Sequence, residues 1–145
     1  MSVELQDEKF IRHLHGNSTF GQLLDIQFVE SIEGYAEVLL QLDPNKHWNT
    51  NDMVHGGVYA SLLDTVSGLS VRTKLQVDQS LSTINISINY TKAITDGKLI
   101  AKSKVVTFGK QIATVKAEIF NENTELIANS ISTFVIITKR GNTDA

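Results

Sequence analysis

The chain has no cysteine and only one proline among its 145 residues. The absence of cysteine excludes disulfides, thiolate nucleophiles and cysteine-type zinc sites together. It fits a reducing compartment, and the expected location is the cytoplasm. No run approaches the roughly 18 consecutive apolar residues of a membrane span, so no membrane association is expected. The opening stretch, MSVELQDEKFIRHLHGNS, lacks the charged-then-apolar pattern of an export signal. There is no basic excess either. Lys and Arg number 13 against 16 Asp and Glu, for a net charge of −3 and a pI near 5.8. The lysines between Lys98 and Lys104 alternate like one face of a strand rather than forming a basic stripe, so no nucleic-acid partner is expected. A Gly-x-Ser-x-Gly elbow, a phosphate-binding loop and a dinucleotide fingerprint are all missing. His47 and His55 are too far apart for a helical metal pair, and no His/Asp/Glu trio has ligand spacing, so no metal is expected.

What is there suits a packed core. Hydrophobic residues make up 41% of the chain, and the length suits one domain, read as residues 1–145. A weak amphipathic helix is expected over residues 4–15, with a further helical turn at TFGQLL. IQFVESI and YAEVLLQL read as a hairpin joined at Glu33-Gly34. DPNKHWNTND reads as a polar loop. From Val54 to Thr73 the spacing turns helical. Val58, Leu62, Leu63, Val66 and Leu69 share a broad apolar face, and Ala60, Ser61, Ser67, Gly68 and Ser70 are small enough for a backbone to approach. Four strands follow: LSTINISINYTKAI, KLIAKSKVVTFG, KQIATVKAEIFNENT and LIANSISTFVIITK. RGNTDA reads as a frayed tail. This order predicts an α+β fold, a curved antiparallel sheet wrapped around one apolar helix.

The chemistry concentrates in HWNTNDMVHGGVYASLLD, His47 to Asp64. Gly56 and Gly57 precede the helix, whose first N–H groups lack intrahelical acceptors and carry the positive dipole end. They suit a phosphate or a developing oxyanion. A turn that needs glycine is the plainer account. His55 suits donation to the same oxygen, or capping of the helix. Asp64 sits among Leu62, Leu63 and Val66. A buried carboxylate is costly unless it is paired or used, which marks it as a base, a nucleophile or a bonded structural acid. Asn49 and Thr83 are candidates for positioning a water, with structural roles as the alternative. Trp48 suits either closing a pocket or covering the core. Eight residues separate Gly56 from Asp64, about 12 Å along a helix. If both serve one reaction, the site is shared between two chains across a two-fold axis.

The stretch NTNDMVHGGVYASLLD, with the element order around it, resembles the hotdog-fold acyl-CoA thioesterases of the phenylacetate-pathway type. Their pattern is roughly Asn-x-x-Gly-x-x-His-Gly-Gly, then seven residues and Asp. The likeness covers about residues 18–138. It implies a sheet of about six strands around a long central helix, with a short N-terminal helix. It implies an acyl-CoA substrate with an aryl or medium-chain acyl group, no cofactor, and homodimers that assemble to a homotetramer. It also implies roles. Asn49 is the loop asparagine, and His55 and the Gly56 amide polarise the thioester carbonyl. Asp64 of the neighbouring subunit acts as base or nucleophile, with Thr83 positioning the water. The chain departs from the pattern at Asp52 and Asp25, where relatives often have Gly. A non-catalytic acyl-CoA sensor and a hydratase on the same fold are the alternatives. The retained Asp64 speaks against the first and the His-Gly-Gly-to-Asp spacing against the second.

Overall fold

The computed structural model describes residues 4–139; the tail read as frayed lies outside them. The chain opens with α1 (Glu8–Gly16), capped by Asp7, and α2 (Thr19–Leu24), capped by Ser18. Each cap side chain accepts from the backbone N–H three residues on, satisfying one donor that the helix leaves open. Strands β1 (Gln27–Ile32) and β2 (Tyr35–Gln41) then form a hairpin. Glu33 and Gly34 turn it, both with positive φ (+48° and +78°), which matches the twist of the strands.

The loop after β2 is more ordered than its polarity suggests. Pro44–His47 forms one helical turn, α3, because Asp43 caps it and Pro44 fills the first helical position with its φ already set. The long helix α4 runs over Gly56–Arg72. Four strands follow: β3 (Gln79–Tyr90), β4 (Lys98–Phe108), β5 (Ile112–Phe120) and β6 (Leu126–Thr138). β3 stops at Tyr90, so the TKAI segment expected to continue it lies in the loop before β4.

All six strands join one antiparallel sheet in the order β1-β2-β4-β5-β6-β3, and α4 packs against every one of them. This is the hotdog fold, an α+β sheet curled around a central helix. The helix is buried on most of its circumference, so apolar Val58, Leu62, Leu63, Val66, Leu69 and Val71 are joined inside by Ser67, Gly68 and Ser70. Sheet serines bond it in place: Ser31 Oγ donates to Leu69 O at 2.7 Å and Ser103 Oγ to Val66 O at 2.6 Å. On β4, Leu99, Ala101 and Ser103 point inward, while Lys98, Lys102 and Lys104 face solvent, the alternation of a half-buried strand.

Candidate active site

The loop leading into α4 is held by Asn49. Its Oδ1 accepts from Asn51 N at 2.8 Å and Met53 N at 3.2 Å. Trp48 Nε1 donates to Thr95 O at 2.8 Å, tying this loop to the segment before β4. His47 is scaffolding. Its Nδ1 accepts from Asp43 N at 2.9 Å, which leaves Nε2 to donate to Leu24 O at 2.9 Å. Asp52 has φ +59°, a left-handed backbone that glycine adopts without cost and Asp tolerates better than most.

His55 caps α4. Its Nδ1 accepts from Gly57 N at 2.8 Å, so in the neutral ring the proton sits on Nε2. This bond explains the second glycine. A Cβ on Gly57 would lie 2.9 Å from His55 Nδ1, closer than packing allows. Gly56 is different. A Cβ there would meet only the Tyr90 ring, at an ordinary 3.6 Å. Its N–H, the first of the helix, has no hydrogen-bond partner among the described residues.

Asp64 lies half-buried two turns further along α4, where Thr83 Oγ1 donates to its Oδ1 at 2.7 Å. The other carboxylate oxygen has no partner among the described residues. A β-bulge aims Thr83. The β3–β6 register skips between Thr83 and Asn85, leaving Ile84 as the extra residue. The bulge switches the phase of the strand. Leu81 and Thr83 face α4 before it, Ile86 and Ile88 face the core after it, and Ile84 is turned out to solvent.

The two groups open on separate cavities with no lining residue in common. The Asp64–Thr83 cavity, about 230 Å³, lies between α4, β3 and the α1–α2 corner. The His55–Gly57 cavity, about 330 Å³, is walled by Phe20, Leu24 and Trp48. Four polar residues of the first cavity carry no signal in the sequence: His15, Ser18, Thr65 and Arg72. The corner that brings His15 and Ser18 there is tertiary. His15 Nε2 bonds Ile26 O at 2.8 Å.

The model of the Thioesterase superfamily matches residues 51–128, a segment that includes His55, Gly56, Asp64 and Thr83. The chain belongs to the thioesterase superfamily. A protein of Archaeoglobus fulgidus that bears an esterase name is 33% identical over 122 residues, 83% of this chain and 77% of that one. A medium/long-chain acyl-CoA thioesterase of Salmonella typhimurium, YigI, is 25% identical, covering 93% of this chain and 94% of its own. Among solved structures, the Haemophilus influenzae thioesterase HI1161 superposes with a TM-score of 0.84 at 21% identity, covering 94% of each chain, a likeness of fold. Thioester hydrolysis is accordingly the enzyme class of this superfamily member. Among the described residues no helix is long and apolar enough to cross a membrane.

Proposed function

We propose that the protein hydrolyses acyl-CoA thioesters with an aryl or medium-chain acyl group, in the manner of the phenylacetate-pathway type, releasing the free acid and CoA. The active site is assembled from two chains. The Gly56 N–H and His55 Nε2–H of one protomer polarise the thioester carbonyl. Asp64 of the other activates water or attacks directly, held by the Thr83 hydroxyl. Asn49 keeps the loop in shape. No metal or organic cofactor takes part, and the dimers pair into a cytoplasmic homotetramer.

One observation carries this reading: the two halves stand about 12 Å apart along one helix and open on different cavities. A single chain therefore lacks a place where one carbonyl meets both. The edge of the sheet supports the pairing. β3 is a long edge strand without proline or lysine, and its exposed Ile84 and Tyr90 are what an unpaired edge normally avoids. Antiparallel pairing of two β3 strands would run two α4 helices side by side in opposite directions, helix start against Asp64. The His55 tautomer set by the Gly57 bond supports its role as donor.

The test is free-thiol release by wild type and Asp64→Asn over a panel of aryl and fatty acyl-CoAs. Release by wild type, lost in a folded Asp64→Asn, is expected. Tight acyl-CoA binding without release by wild type would make the protein a sensor instead.

A further inference from the structure

Arg72 closes the far end of the Asp64 cavity. It stands in the last turn of α4, two turns beyond Asp64 and on the face shared with Thr65 and Gly68. Its guanidinium is partly buried, and burial holds its pKa below the usual arginine value. Its side-chain partner is the neutral Gln6 Oε1, 3.3 Å from Nη1. Among the described residues no carboxylate pairs with it. The negative end of the α4 dipole offsets part of the charge, but a guanidinium carries five donors. A cation drawn out of water with donors unfilled is costly unless a partner arrives.

The rest of the cavity says what kind of partner. Between Asp64 and Arg72 the wall is mainly apolar, from Leu14, Leu69, Leu81 and Phe134, with His15, Ser18 and Thr65 as its polar members. Gly68 lies against Leu81 and Phe134, which a Cβ there would meet at an ordinary 3.5 and 3.8 Å. The cavity thus has a carboxylate–hydroxyl pair at one end, a mainly apolar middle and a cation without a carboxylate partner at the other. Two helical turns separate the ends, about 12 Å between backbone positions, a span that suits a medium-length chain.

We infer that Arg72 binds an oxyanion of the thioester substrate, the mainly apolar wall favouring a carboxylate at the far end of the acyl chain. A phosphate of the CoA arm is the other source of the same chemistry. This rests on the reading of Asp64 as the thioester end, and it makes Arg72 a specificity residue rather than a catalytic one.

The full chain is assayed with octanoyl and suberyl thioesters, each carried on CoA and on N-acetylcysteamine, which lacks phosphate. Wild type, Arg72→Met and Arg72→Lys are compared, with folding checked by thermal melting. The suberyl-to-octanoyl ratio of kcat/KM is expected to favour suberyl in wild type. It should fall about tenfold to a hundredfold in Arg72→Met, the worth of a charge-assisted bond, and recover in part in Arg72→Lys. If the CoA-to-cysteamine ratio falls instead, the oxyanion is the phosphate and Arg72 keeps its role. If neither ratio moves, the inference is overturned. If wild type releases no thiol from any substrate, hydrolysis itself fails. Calorimetric binding of suberate against octanoate then decides Arg72: a preference lost in Arg72→Met supports it, and equal binding overturns it.

Discussion

Gly56→Pro removes one hydrogen-bond donor and little else. Gly56 is the first helical residue, where proline is favoured because its missing N–H would have had no intrahelical acceptor. The preceding residue must then be extended, and His55 already is, at φ −64° and ψ 135°. The Cβ meets the Tyr90 ring at 3.6 Å, an ordinary contact. The helix should therefore form as before, while the candidate oxyanion donor is gone. Losing one such donor costs on the order of 10²–10³ in kcat. Asp64→Asn should be at least as inactive, for the separate reason that the carboxylate is gone. On the proposed two-chain site, the two groups of one chain, about 12 Å apart, belong to different sites of the dimer. Co-expression of the two variants then restores activity. Each mixed dimer has one intact site of two, so the purified mixed dimers should return about half of wild-type turnover, and the unfractionated random mixture about a quarter. The assay is thiol release from mixed dimers purified on two different tags. Mixed dimers as inactive as the parents would refute the shared site, and full activity of Gly56→Pro alone would remove Gly56 from the mechanism.

Gly57→Ala tests the cap. The new methyl displaces the His55 ring from 2.9 Å and breaks the Nδ1 bond. Loss of a cap costs about 1 kcal/mol, which the better helix propensity of Ala largely offsets. Melting should hardly move while kcat falls, and an unchanged kcat would show that the ring is not held by this bond. Asp52→Gly relieves a left-handed residue at φ +59°. Stability should rise by up to about 1 kcal/mol, or about 2–4 °C in Tm, and a lower Tm would mean that the Asp side chain supports the loop.

The helix and strands were legible because their apolar periods are strong: α4 ends within two residues of the expected limits, and the β4 lysines alternate as read. Three things were not. The Asp43-Pro44 pair starts a helix inside a stretch that polarity marks as loop, so capping chemistry outweighed composition. The bulge at Ile84 hides within an alternation that looks unbroken from Ile84 to Tyr90. Read by period alone, Ile84 belongs to the inward set, yet it is the residue expelled so that Thr83 can reach Asp64. Finally, His15, Ser18 and Arg72 meet in one cavity although each lies on a different local pattern. No spacing rule links Arg72 to His15 and Ser18, because it is the tertiary placement of the α1–α2 corner beside α4 that brings them together.

The two departures from the family pattern have a common physical reason. Asp25 and Asp52 have φ values of +61° and +59°, the region in which glycine is free and Asp, with its short polar side chain, is tolerated. The substitutions therefore preserve the backbone path that glycine would give and change the charge. At Asp25 the charge is used. The carboxylate ends α2 and pairs with Lys46 of α3, and that ammonium group holds the Asp25 pKa below the usual carboxylate value. The pair links the end of α2 to the turn just ahead of Asn49, on the side where Leu24 and Lys46 both line the His55 cavity. Asp52 has no ion-pair partner among the described residues. It places an exposed negative charge three residues before His55. On the proposed acyl-CoA reading that charge bears on how the anionic CoA arm approaches the helix start, and it leaves the donor geometry at Gly56 and His55 as it is.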